Sequence, residues 1–402
     1  MSTIRNDEVK AANDNTFDRD FSRWAGHEHG LDGLRGIAAL SVVIWHFINF
    51  FLDTRFPEFA WCDHLFSVLE RTPLAAIWGG PQAVMLFFVL SGYALFRMMD
   101  SLKELYLAYY IRRFFRLWVP YFFSVLVGFL FIFLFGNEKS NSFNPFYNLL
   151  LGYTITARDL LDHAIMITNF STWKINALVW SLVHEMRLSL VFTAVYLAIR
   201  RWGSAVVLLM GICVAFYAIY YIHPKFFAID HTSIRQSMIF QLNFVVGASI
   251  ALHVRRIKEV YCRIPALIRK ILALAAIILY SNPFPENGKP GILLASGWFV
   301  VMAVSSKSTI RFFEYSIVQF LGKISYSLYL FHLIIFLACI KASRGFLTPF
   351  QSMVVAVPLV LIISTLVNRY LELPANALGK RISRLIFSKR TTEQESSAGS
   401  QG

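Results

Sequence analysis

Ten apolar runs, most of them about the length needed to cross a bilayer, divide this chain at about residues 34–52, 76–96, 117–135, 176–199, 203–222, 236–253, 266–281, 291–306, 324–340 and 350–371. A helix rises 1.5 Å per residue, so about 20 apolar residues span a hydrocarbon layer of about 30 Å. The seventh run carries Arg269 and Lys270 near its start, and the eighth is short. Composition closes off the soluble alternatives. Charged residues make up 15% of the 402, hydrophobic residues reach 56%, and 38 residues are Phe. A soluble domain carries about 25% charged residues, and could not cover this much apolar surface without large exposed patches. An outer-membrane barrel needs alternating segments of about ten residues rather than continuous runs. The expectation is an all-α polytopic membrane protein of about ten transmembrane helices.

The net charge of +14 does not point to nucleic acid, because the basic residues lie in short clusters between apolar runs. With the N-terminus placed inside, 26 of the 38 Lys and Arg fall on inside loops and tails and 10 on outside loops. Arg35 and Arg187 lie at or within membrane segments. That asymmetry is the positive-inside pattern, with both termini cytoplasmic. About thirty polar and charged residues precede the first run, which speaks against a cleaved signal peptide. Residues 1–30 read as a cytoplasmic tail, 31–375 as one membrane domain, and 376–402 as a second tail whose polar end, 388–402, is expected to be disordered. No fixed-period repeat and no inverted pair of broken segments is visible. Cys62, Cys213, Cys262 and Cys339 are widely separated and show neither metal-ligand spacing nor a disulfide framework.

Ionisable groups inside a bilayer cost several kcal/mol unless paired or solvated, so each is a candidate for function. Arg35 and His46 in LDGLRGIAALSVVIWHF are eleven residues apart, which returns to within about 20° of one helix face after a rise of about 16 Å. The bland alternative is a snorkelling arginine and a hydrogen-bonded histidine. In WSLVHEMRL, Glu185 sits about as deep as His46 and needs an imidazole or a guanidinium as partner. Adjacent His184 faces about 100° away and belongs to a different site. Arg112, Arg113 and Arg116 in IRRFFRLWVP suit a phosphate-rich ligand, or else only obey the positive-inside rule. Ser91 and Gly92 in FFVLSGYALFR permit close helix approach. Ser325, Tyr329 and His332 in GKISYSLYLFH share a face that lines a polar cavity or forms an interhelical hydrogen-bond network.

LDGLRGIAAL with His46, FFVLSGYALF, RRFFRLWVP, WSLVHE, GKISYSLYLFH and RYLELP, with Glu372 and Pro374, occur in this order from Asp32 to Pro374. Together they resemble acyltransferase family 3, integral-membrane O-acyltransferases of surface polysaccharides, antibiotics and lipids. The resemblance implies a cytoplasmic acyl-CoA donor, usually acetyl-CoA, with no permanently bound cofactor. It implies transfer to a hydroxyl of a surface glycan or lipid-linked sugar, in the inner membrane. Its arginine and histidine of the first helix fall on Arg35 and His46, its donor-binding element on Arg112, Arg113 and Arg116, and its intramembrane acid on Glu185; Ser91 is counted with the donor-binding residues. No hydrolase-like soluble domain follows the last run, which points to a lipid-linked acceptor or a periplasmic partner protein. The expected catalytic residues are His46 and Glu185. The rival reading is a transporter or flippase with a His/Glu/Arg relay, against which the absent inverted repeat and the arginine cluster both weigh.

Overall fold

The computed structural model describes residues 29–49, 60–102, 106–136, 139, 151–221, 232–281 and 289–399, and these are helical or connect helices. In chain order the helices are α1 (His29–Asn49), α2 (Ala60–Leu69), α3 (Gly80–Ser101), α4 (Tyr106–Phe135) and α5 (Ala157–Ile165). They continue with α6 (Trp180–Trp202), α7 (Ser204–Tyr221), α8 (Ile234–Leu252), α9 (Val254–Arg263) and α10 (Ala266–Tyr280). The last are α11 (Lys289–Ser305), α12 (Lys307–Phe313), α13 (Ser316–Ala342), α14 (Pro349–Val367) and α15 (Leu373–Gly399). The described part of each of the ten apolar runs falls on a helix or its immediate flanks. Six of the described helices are long and apolar enough to cross a membrane, and eight spans result if each of two bent pairs counts as one. The chain is a polytopic membrane protein.

The bent pairs are α8–α9, at 77°, and α11–α12, at 89°. The first bend follows from the sequence, because VRRIKEVYCR is strongly amphipathic and carries three basic residues in its first five. Such a helix lies along an interface rather than across it. At the other end of the chain, α14 runs into α15 through a single π turn, Asn368–Glu372. The helix then continues to Gly399, so the polar end expected to be disordered is helical. Its Lys, Arg, Glu, Gln and Ala residues are strong helix formers.

In lipid the hydrophobic effect does not hold helices together, so small residues that let backbones meet matter most. A Cβ placed on Gly92 of α3 would lie 2.1 Å from the Phe244 carbonyl oxygen of α8, and one on Gly247 would lie 2.0 Å from that of Val89. Helix α1 meets α13 in the same way: a Cβ on Gly36 would fall 2.5 Å from the Gly322 nitrogen, and one on Gly322 would fall 2.4 Å from the Asp32 carbonyl oxygen. The segment 166–179 is not a regular helix, yet it is bound into the bundle. Asn176 donates to Ser124 Oγ and to the Leu330 carbonyl, and Arg187 donates to the carbonyls of Ile167, Thr168 and Thr232. Irregular backbone of this kind is tolerated where protein groups satisfy it.

Candidate functional site

His46 lies five turns into α1, and its ring is buried. Its Nδ1 is 2.9 Å from the Val42 carbonyl oxygen and 3.2 Å from Nε2 of His332 on α13. Nδ1 of His332 in turn lies 2.9 Å from the Leu328 carbonyl oxygen. A carbonyl can only accept, so Nδ1 carries the proton in both rings. In a neutral imidazole that leaves the lone pair on Nε2. His332 therefore turns an acceptor toward the Nδ1–H of His46, and the lone pair of His46 sits on its Nε2. The ring centroids are 4.9 Å apart, at 61°.

The pairing has a simple helical origin. Ten residues separate Gly36 from His46 and ten separate Gly322 from His332, so from the glycine contact the two helices run side by side in the same direction for about 15 Å. At the other side of the glycine contact, His29 and Gln319 are joined by two hydrogen bonds. The remaining members of the Ser325–Tyr329–His332 stripe form hydrogen bonds between and within helices. The Tyr329 hydroxyl donates to the Leu178 carbonyl and meets Ser181 Oγ at 2.7 Å, and Ser325 Oγ donates to the Gly322 carbonyl.

Toward the end of α1 that carries Arg35, the charges gather. Helix α4 begins at Tyr106, so Arg112, Arg113 and Arg116 lie within its first three turns rather than ahead of a span starting at 117. Arg113 is buried and pairs with Glu185 of α6, while its Nε donates to Ser189 Oγ at 2.9 Å. Ser91 Oγ donates to the same Glu185 oxygen at 2.7 Å. Of the two partners open to Glu185, the guanidinium is the one present, and among the described residues none of its hydrogen bonds goes to an imidazole. His184 points elsewhere, with Nδ1 2.7 Å from Ser237 Oγ of α8. Arg112 donates through Nε to Ser383 Oγ of α15 at 2.9 Å. Arg35 donates to Asp32 at 3.2 Å and is one-fifth exposed.

Arg116 differs from the rest. It lies among the helices, within electrostatic reach of Arg35, Arg113, Glu185 and Glu372, yet its side chain is exposed. It makes no hydrogen bond or ion pair among the described residues. Pro120, one turn further along α4, has no N–H for the Arg116 carbonyl, and the Tyr326 hydroxyl donates to the adjacent Leu117 carbonyl at 2.8 Å. Glu372 enters this cluster from the π turn, accepting from Ser327 Oγ and Asn368 Nδ2, both at 2.9 Å. Neither Glu372 nor His332 was among the residues singled out for the site. A π turn is invisible in an apolar pattern, although the paired glycine-to-histidine spacings of α1 and α13 were there to be read.

The sequence-derived residues thus fall into three groups. Glu185, Arg113 and Ser91 form one hydrogen-bonded unit between α3, α4 and α6. Arg35 and Arg116 lie in one charged cluster, with Arg112 turned toward α15. His46 stands apart on the face of Arg35, paired with His332.

A family model described as an acyltransferase domain matches residues 28–369, most of the chain. No match was found among curated proteins or among solved structures.

Proposed function

This chain belongs to the acyltransferase 3 family, and on that premise we propose that it is an inner-membrane O-acetyltransferase taking acetyl-CoA from the cytoplasm and acetylating a hydroxyl of a surface glycan or lipid-linked sugar. The observation that carries the reading is the Arg116 guanidinium, exposed between helices and without a hydrogen-bond partner among the described residues, at the end of the bundle from which α1 leads to His46. Its five N–H donors suit an incoming phosphate, which guanidinium binds bidentately. Arg35 stands within electrostatic reach of Arg116 and supplies the second cation. The thiol arm then lies along the face shared by Arg35 and His46, a rise of about 16 Å.

At the thioester, His46 Nε2 accepts the proton of the acceptor hydroxyl as its oxygen bonds to the acyl carbon. The carbon–sulfur bond breaks, and the imidazolium returns the proton to the departing CoA thiolate. Glu185 acts indirectly, holding Arg113 and, through Ser91, joining α3 to α6. The positive-inside distribution supports a cytoplasmic Arg35 end and cytoplasmic termini.

The donor site predicts that Arg116→Gln raises the KM for acetyl-CoA on the order of 10–100-fold, the worth of a charge-assisted hydrogen-bond pair, with near-normal folded yield. Free CoA should lose more affinity than its dephosphorylated analogue. Unchanged CoA affinity would leave Arg116 as a topology signal only.

Orientation is tested separately. In a variant with every cysteine replaced by Ser, Cys at Arg158, whose side chain is 88% exposed, should react with an impermeant thiol reagent on intact cells. Cys at Arg256 should react only after permeabilisation. The reverse pattern would move the donor site to the wrong side of the membrane.

A further inference from the structure

We infer that His332 is a positioning residue for His46: it accepts the Nδ1–H of His46 and so fixes the lone pair of His46 on Nε2, the atom that meets the acceptor hydroxyl. The inference rests on the proposed role of His46. Three observations carry it. The two rings meet at 3.2 Å. The Leu328 carbonyl holds the proton of His332 on Nδ1, so Nε2 faces His46 as an acceptor. The glycine contact between α1 and α13, followed by ten residues on each helix, sets both imidazoles at one depth. The rings of Tyr329 and Phe336 flank His332 edge-on, with centroids 6.4 and 6.0 Å away, and hold its plane.

The arrangement does two things for proton transfer. Before the reaction it selects one tautomer of His46, because the Nε2–H tautomer would direct an N–H rather than a lone pair at the hydroxyl. When His46 takes the proton, its Nδ1–H becomes a charge-assisted donor to the neutral His332, which stabilises the positive charge. The Val42 carbonyl accepts from the same N–H, so the proton is shared between a backbone group and a side chain. Only the side chain can be altered by substitution.

The test uses the full-length protein in lipid nanodiscs, with labelled acetyl-CoA and a surface-glycan extract of its own cells as acceptor. His332→Phe keeps a ring but removes the acceptor, and His332→Gln restores an amide oxygen. Loss of a group that orients a metal-ligating histidine costs on the order of 10–100-fold, and by the same logic His332→Phe should lose that much in kcat with KM for acetyl-CoA within about twofold. His332→Gln should recover most of it. Because the two histidines act as one unit, His46→Gln combined with His332→Phe should turn over no slower than His46→Gln alone. Wild-type kcat in His332→Phe would overturn the inference and leave the role of His46 standing. Equal loss of folded yield, CoA binding and kcat in both His332 variants would make His332 a packing residue and overturn it as well. If His46→Gln itself turns over at the wild-type rate, the inference and the reading beneath it both fall.

Discussion

His46→Gln is expected to lower turnover on the order of 10²–10⁴-fold, the usual worth of a general base, while CoA still binds. Glutamine keeps most of the side-chain volume and a donor for the Val42 carbonyl, so helix packing should survive. It lacks the imidazole lone pair that takes the hydroxyl proton. The contrast with Arg35→Ala, on the same helix face, makes the result specific. Arg35 lies at the donor-phosphate end, so its loss should appear in the KM for acetyl-CoA rather than in the chemical step. A near-normal rate for His46→Gln would make His46 a structural histidine and end the proposed mechanism. A second assay divides the two uses of the same lone pair. Incubation with labelled acetyl-CoA alone should leave the protein unlabelled if His46 is a base. Label trapped on His46 would make it an acyl carrier instead.

The apolar runs were legible because a bilayer demands long, uninterrupted hydrocarbon surface, and the described part of every run falls on a helix or its immediate flanks. Helix starts were less legible where charge intrudes. Tyr106 to Arg116 reads as a loop by hydropathy, yet α4 includes it, because Arg113 is neutralised by Glu185 rather than by water. Spacing along one helix predicts which residues share a face, as with Arg35 and His46, but not which helix that face meets. The partners of His46 and Glu185 therefore had to come from the fold. The same limit applies to Arg187. By sequence it lies at or within a membrane segment with no partner indicated, and in the structure it donates to the carbonyls of Ile167, Thr168 and Thr232. The π turn that delivers Glu372 has no apolar signature at all, since it changes the winding of the helix and not its composition.

Glu185→Ala is expected to cost about 3–5 kcal/mol of folding stability, because it leaves the Arg113 charge buried without its counter-ion. The side chain of Arg113 is only 7% exposed and that of Glu185 14%, so water cannot replace the lost partner. The measurement is the thermal transition and folded yield of the detergent-solubilised protein. Replacing both partners, Arg113→Met with Glu185→Met, should recover most of that loss, since an apolar pair of similar volume removes both charges together. The double replacement also separates stability from chemistry. Arg116 and Arg35 remain in it, so acetyl-CoA should still bind. Glu185→Gln is the finer probe, since its amide still accepts from Ser91 and Arg113 while the charge is gone. If Glu185→Gln folds and binds acetyl-CoA as the wild type does but fails to turn over, the carboxylate takes part in the reaction itself. Its contact with Arg113 would then serve catalysis rather than the joining of α4 to α6.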